Sequence, residues 1–238
     1  MSMKILGIDS SGLVASVAVM EDDVLLGEYT LNYKKTHSQT LLPMLDELKG
    51  MLELEMDSID AIAVAAGPGS FTGLRIGSAT AKGLGLALNK PLISVPTVDA
   101  LAFNLWGHKS FICPIMDARR NQTYTGLYFF DEKNEFHTVV EQCAVDIHEI
   151  IDRINEEKHP VTFLGDGVPV FKDIISEELK VPYDFAPAGM NRQRASALCL
   201  LGAKYYKEQK TVSASDFRPE YLRLSQAERE RMEAQKEK

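Results

Sequence analysis

At 238 residues, with 45% apolar and 25% charged side chains, the chain has the size of one large or two compact domains, and no apolar run reaches the ~18 residues of a membrane span. Twenty-six basic against thirty-four acidic residues leave a net charge of −8, which works against autonomous nucleic-acid binding. Cys113, Cys143 and Cys199 are odd in number and widely spaced, which argues against a disulfide framework and for a reducing compartment, the cytoplasm by expectation.

The opening "MSMKILGIDSS" reads as a polar lead into a short buried strand and not as a secretion signal. "LVASVAVM" and "DDVLLGEYTLNY" follow with turn chemistry at Glu21–Asp23, so the chain begins as an antiparallel meander. "SQTLLPMLDELKGMLE" places Leu41, Leu42, Leu45, Leu48 and Leu52 at helical spacing, with Thr36 or Ser38 as the cap. "IDAIAVAAG" is a continuous apolar strand of the kind buried on both faces. A glycine-rich helix, the strand "PLISV" and a helix around "TVDALAFNLW" complete the first half. The second half opens with "FICPIMDARRNQTYTGLYFF" as strand, turn and strand, and "EFHTVVEQCAV" adds a third strand. Helix "DIHEIIDRINEE", strand "VTFLGDG" and helix "VPVFKDIISEEL" come next, and a helix around "RASALCLLGAKYYKEQ" is expected to close that domain. The alternating charges of "SQAERERMEAQKEK" predict a frayed or disordered tail. Asp9 and Asp117 each end an apolar strand ahead of polar residues and a second strand, which suggests a duplicated unit whose two turns face one cleft; aspartate also ends strands simply because it favours turns.

The stretch "AVAAGPGSFTGLRIGSATAKGLGLAL" carries the strongest local pattern. It is not a Walker loop, because Gly73 is followed by Leu74 and Arg75 where lysine and a hydroxyl are needed. It is not a dinucleotide fingerprint either, since the third glycine is misplaced and no acidic residue ends the next strand. Gly73, Gly77, Ala81 and Gly85 recur every fourth residue and form one bare ridge. Each interior glycine costs about 1 kcal/mol of helix stability, so something must approach the ridge closely enough to offset it. That is either the chain's own sheet, the commoner arrangement, or a second polypeptide. The five histidines never fall at H-x-x-x-H or H-E-x-x-H spacing, no G-x-S-x-G elbow is present, and Ser70 reads as a helix cap. The arginine pairs of "DARRNQT" and "NRQRAS" read as solvated or carboxylate-paired.

Taken with "GIDSS", "HSQTLLPMLDEL", "PIMDARRNQTYTGLY", "LGDGV" and "RPEYLR", this stretch resembles the TsaB (YeaZ) family over nearly the whole chain. The resemblance implies an α/β fold of the actin-like ATPase (ribonuclease-H-like) type, with lobes over 1–108 and 109–223 and a charged tail over 224–238. It also implies a non-catalytic paralogue of TsaD, the enzyme that transfers threonylcarbamoyl to adenosine beside the tRNA anticodon. The metal-holding histidine pair of that enzyme has no counterpart in "LISVPTVDALAF", and "LGDGVPVFKD" lacks its asparagine-rich adenosine loop. No catalytic residue, metal or required cofactor is therefore expected, with Asp9, Ser10 and Asp117 marking a vestigial nucleotide cleft. Family members bind TsaD through the first lobe, with TsaE joining the complex, a TsaC-type synthase supplying the adenylate, and tRNA reached only through the assembly. The same face is expected to pair two copies when the partner is absent. On this resemblance the contact residues are Leu41, Leu45, Thr72, Gly73, Arg75, Ile76, Gly77, Thr80 and Ala81, and Gly77→Leu is expected to abolish association while the fold survives. An active ATPase or small-molecule kinase using Asp9 and Asp117 around magnesium is the alternative; a metal-dependent endopeptidase lacks the ligand spacing.

Overall fold

The computed structural model describes residues 2–33 and 35–223; the charged tail expected from residue 224 lies outside them. The chain builds two five-stranded sheets. The first contains β1 (Lys4–Asp9), β2 (Ala15–Glu21), β3 (Val24–Leu31), β4 (Ala61–Gly67) and β5 (Leu92–Pro96), in spatial order β3-β2-β1-β4-β5. The second contains β6 (Phe111–Asp117), β7 (Gln122–Phe130), β8 (Phe136–Asp146), β9 (Val161–Leu164) and β10 (Tyr183–Phe185), in order β10-β9-β6-β7-β8. Read from the other edge, the second order repeats the first strand for strand. In each sheet a three-strand antiparallel meander is extended by two parallel strands beside its first member. This is the duplicated actin-like fold. Asp9 and Asp117 end the equivalent strands β1 and β6, so the sequence echo between them is structural.

Helices separate and flank the sheets. α1 (His37–Met51) and α2 (Phe71–Leu88) share an apolar cluster with one face of the first sheet, built on Leu6, Ile8, Val17, Leu41, Leu45, Leu48, Ile62 and Val64. α4 (Ile147–Glu157) and α5 (Val168–Glu178) cover the outer face of the second sheet around Ile115, Leu127, Phe163 and Phe171. The facing sides of both sheets contribute to a single central cluster with α3 (Thr97–Ala102) and α6 (Ala195–Lys207). With helices on both faces, β4 has no polar side to present, and all seven of its residues are buried. α4 shows the local logic most completely. Asp146 and Glu149 form a capping box, and Ile147, Ile150, Ile151 and Ile154 lay one apolar stripe on the sheet.

The last helix departs from expectation. α6 does not close the second domain but crosses the first sheet, and a Cβ on Gly7 of β1 would lie 2.6 Å from Cys199 Sγ and 2.7 Å from the Ala195 carbonyl oxygen. Glu28 of β3 holds the start of α6. Its carboxylate accepts from the Ser196 N–H at 2.9 Å, the Ser196 hydroxyl at 2.8 Å and the Arg194 Nε at 3.0 Å. After α6 the chain pairs Val212 with Leu92 of β5 and returns along α2 toward the space between the sheets.

Candidate functional site

The glycine turn and the ridge of α2 face inward. Ser70 caps the helix by accepting from the Gly73 N–H at 3.3 Å, and its own N–H donates to the Ser11 carbonyl at 2.7 Å. The Ser10 hydroxyl donates to the Gly73 carbonyl at 2.8 Å. A Cβ on Gly73 would run into the Ser10 carbonyl oxygen far inside contact distance, and one on Gly77 would lie 2.5 Å from Ser10 Oγ. Farther along, a Cβ on Gly85 would sit 2.9 Å from that of Ala214. The close approach that the ridge requires is thus made by the turn between β1 and β2 and by the returning segment around Ala214. This overturns part of the expected partner surface. Gly73, Gly77 and Ala81 are buried against the chain itself, and Leu41 and Leu45 belong to the core beneath α1. Gly77→Leu would displace Ser10 rather than spare the fold. Of the expected contacts, Thr72 and Arg75 are exposed, while Ile76 and Thr80 are half-buried. The solvent face of α2 also includes Ala79, Gly83 and Leu86, and no atom of the described residues lies within 4 Å of where a Cβ on Gly83 would be. On α1, which packs against α2, Leu42 is 54% exposed.

Residues 213–223 form a strap over the other flank of α2. Lys82 Nζ donates to the Ser215 and Phe217 carbonyls, each at 3.2 Å, and the Glu220 N–H donates to the Ala66 carbonyl at 2.7 Å. The Tyr221 ring packs 5.0 Å from that of Phe71, and the Arg75 guanidinium lies 4.0 Å over the Phe71 ring while its Nε donates to the Tyr221 hydroxyl at 3.4 Å. Arg223 then crosses to the second sheet, donating to the Ala118 carbonyl at 2.5 Å.

Between the sheets lies a cavity of about 580 Å³, within the range of small-molecule sites, whose walls include Ser11, Gly12, Phe71, Asp117, Asp166 and Glu220. Of the three residues expected at a vestigial nucleotide cleft, Asp117 lines it, whereas Asp9 and Ser10 are buried behind the turn. One Asp9 oxygen already accepts from the Ser11 N–H at 2.8 Å and the Ser11 hydroxyl at 2.6 Å, and burial pushes its carboxyl above the usual carboxylate range. Asp166 accepts from the Asp117 N–H at 3.2 Å and is likewise raised by burial. Arginines are present in the wall, but no lysine. The histidines are engaged separately, His137 with Asp131 at 3.1 Å and His148 with Glu178 at 2.7 Å. Asp131, Glu135 and His137 do converge at the β7–β8 turn, where Asp131 also accepts the Lys133 and Glu135 N–H groups, both at 2.8 Å.

In the central layer, burial raises the Asp99 carboxyl to about 6, against a hydrogen bond from the Tyr128 hydroxyl at 2.7 Å that lowers it. Sequence reasoning missed this pair, the Glu28–Arg194 contact and the strap. Only "RPEYLR" hinted at the last.

The described residues superpose on a YeaZ structure from Pseudomonas aeruginosa with a TM-score of 0.75 at 24% identity, covering 92% of this chain and all of that one. A second structure from that organism, described as similar to peptidase YeaZ, gives 0.78 at 24% identity over 93% of this chain and 100% of its own. These likenesses establish the fold. The model of the family described as TsaD, tRNA N6-adenosine threonylcarbamoyltransferase, matches residues 24–231. The tRNA threonylcarbamoyladenosine biosynthesis protein TsaB of Bacillus subtilis is 34% identical over 234 residues, 98% of this chain and 100% of that protein. The chain belongs to the TsaB family. The Escherichia coli TsaB is 28% identical over 93% of this chain and 95% of its own. Among the described residues, no helix is long and apolar enough to cross a membrane.

Proposed function

We propose that the chain is a non-catalytic subunit in tRNA threonylcarbamoyladenosine biosynthesis, acting in the cytoplasm by holding TsaD in a competent state, with TsaE joining the assembly. The observation that carries this reading is the solvent face of the α1–α2 layer. Thr72, Ala79 and Gly83 leave the α2 backbone open to close approach, and Leu42 and Leu86 flank it as exposed apolar anchors, Leu86 at 64%. TsaD suits this face because the family model that matches here is its own: a paralogue carrying the same helix layer can pair with it helix to helix. Two copies of this chain would use the same face, so a homodimer competes with the TsaD complex.

Catalytic silence is supported by the site chemistry. Asp9, the residue that a kinase or ATPase reading places on magnesium, is buried and already serves Ser11. Nucleotide is accordingly no required cofactor and would bind weakly, within the complex. The size of the cavity and the position of Asp117 in its wall favour the kinase or ATPase alternative, which calorimetry with magnesium-ATP tests: tight binding with turnover would establish it.

The docking reading is tested by Ala79→Arg, on the exposed side of α2. Co-elution with TsaD on size exclusion should be lost while the thermal midpoint of the isolated chain stays at the wild-type value. Undiminished co-elution would remove the α2 face from the interface.

A further inference from the structure

The cations of this acidic chain are not treated alike. Arg194 is paired with Glu28, Arg153 with Glu156 and Glu157, Lys4 with Glu21, and Lys210 with Glu208. Along the strap the arrangement is different. Lys82 Nζ and Arg218 Nη1 converge on the same two carbonyl oxygens, those of Ser215 and Phe217, with the Arg218 bonds at 2.6 and 2.7 Å. Arg75 is held by the Tyr221 hydroxyl and the Phe71 ring, and Arg223 by the Ala118 carbonyl. Ala118 leads directly into Arg119 and Arg120, both exposed, and only Arg119 meets a carboxylate, Asp117 at 3.4 Å. Among the described residues none of the other five forms a salt bridge. Four of them, Lys82, Arg75, Arg218 and Arg223, are held by neutral oxygens, which fixes each charge in place without cancelling it and leaves further N–H groups free to donate.

The backbone at the far end points the same way. Arg119, Arg120 and Asn121 have φ values of 68°, 57° and 59°, the only run of consecutive left-handed non-glycine residues described. Such a conformation costs roughly 1–2 kcal/mol per residue, and strain of this kind gathers at functional sites. Here it projects two arginines from the end of the band. The carboxylates of the same segments are Asp117, Asp216 and Glu220, so six cations outnumber three anions on a molecule whose net charge is −8. Arg192 is also held by carbonyls, those of Gly165 and Asn191, but it sits against the Asp166 carboxylate.

We propose that the band Lys82–Arg218–Arg75–Arg223–Arg119–Arg120 is a direct docking surface for the phosphate backbone of tRNA. This goes beyond the function proposed above, in which tRNA is reached only through the partner, and rests on it only for the choice of tRNA as the polyanion. A line of six cations, four of them held in place by neutral oxygens and only Arg119 paired with a carboxylate, fits a repeating anion. An acidic protein face is the competing occupant, less suited because the exposed apolar side chains of the band are few, chiefly Tyr221 and Leu222, with Phe71 half-buried.

The test is fluorescence anisotropy of a labelled tRNA transcript with the full chain, alone and in complex with TsaD of the same organism. Binding should weaken with salt, each phosphate contact contributing about 0.7–0.9 to the log–log slope. The double variant Arg120→Glu/Arg218→Glu should weaken binding at least about tenfold and flatten the slope by about 1 for each cation removed. Lys172→Glu, exposed on α5 and outside the band, should change neither. Arg120→Glu alone, at a side chain with no hydrogen bond or ion pair among the described residues, should give part of the loss even if Arg218→Glu disturbs the strap. Absence of tRNA binding by the wild type in both settings overturns the proposal, as does unchanged binding by the variants. Variants that lose TsaD co-elution but keep tRNA binding would assign the band to a protein partner and also overturn it. A wild-type chain that binds tRNA but not TsaD would leave the band standing and remove the scaffold reading.

Discussion

Gly73 and Gly83 lie in the same helix and invite the same substitution, and the structure predicts opposite outcomes. At Gly83 an added methyl meets nothing, so Gly83→Ala should stabilise by the helix-propensity difference of about 1 kcal/mol, raising the melting midpoint by about 2–4 °C for a chain of this length. At Gly73 the methyl is driven into the Ser10 carbonyl oxygen, a backbone atom whose residue also donates its hydroxyl to Gly73. Overpacking costs about 1–3 kcal/mol, and an immovable obstacle belongs at the upper end; after the propensity gain a net loss of about 1–2 kcal/mol remains. Gly77→Ala falls between them, because its obstacle is Ser10 Oγ at 2.5 Å, a side-chain atom. The distinction yields a rescue test. Ser10→Ala removes the hydroxyl and should relieve Gly77→Ala but not Gly73→Ala. Urea unfolding of the isolated chain reads the four single variants and the two doubles that carry Ser10→Ala. If Gly73→Ala and Gly83→Ala shift stability in the same direction, or if Ser10→Ala rescues both buried sites equally, the inward packing of the ridge is refuted.

Other perturbations address the central layer and the start of α6. Asp99 has a folded value of about 6 against an ordinary 3.8, so the folded protein keeps a proton that the unfolded chain releases between them. That stabilisation is complete below the unfolded value and is lost as the pH rises through about 6, so Asp99→Asn should narrow the stability difference between about pH 4.5 and about pH 7 by on the order of 2 kcal/mol. Urea unfolding at both pH values checks this, and an unchanged difference would place the titration elsewhere. Glu28→Ala removes a carboxylate whose side chain is only 7% exposed and leaves Arg194 and the Ser196 N–H and hydroxyl without it. A loss of about 2–4 kcal/mol is expected in the same assay, and a loss under about 0.5 kcal/mol would show that the pair is solvated.

Much of the architecture was legible because local pattern and burial agree. The continuous apolar run of β4 signals a strand covered on both sides, and the isoleucine spacing of α4 lies behind an explicit capping box. The repeated aspartate at the ends of β1 and β6 marks the duplication that the two strand orders display. β10 escaped because three residues, Tyr183–Phe185, carry too little periodicity to register. The destination of α6 escaped for a different reason. Its amphipathic stripe shows that it must pack, but the surface that receives it is set by Gly7 and Glu28, some 170–190 residues earlier in the chain.

The same limit explains why several residues expected on the partner surface are buried instead. Recurrence every fourth residue identifies which positions of α2 share a face, but it carries no sign: a bare ridge reads identically whether its neighbour is another molecule or the chain's own turn at Ser10. The sign is fixed by steric fit between residues 63 positions apart, Ser10 against Gly73. Once that ridge is committed inward, rotation around the helix leaves Thr72, Arg75, Ala79, Gly83 and Leu86 to the solvent. Small residues therefore occur on both sides of α2 for different reasons. Inside, a methyl at Gly73 or Gly77 would destabilise the fold; outside, the space at Gly83 is open, and bulk at Ala79 would register only when a partner arrives. Stability measured on the isolated chain and association measured with TsaD should consequently respond to disjoint sets of α2 substitutions, and a variant at Ala79 that unfolded the chain would contradict that division.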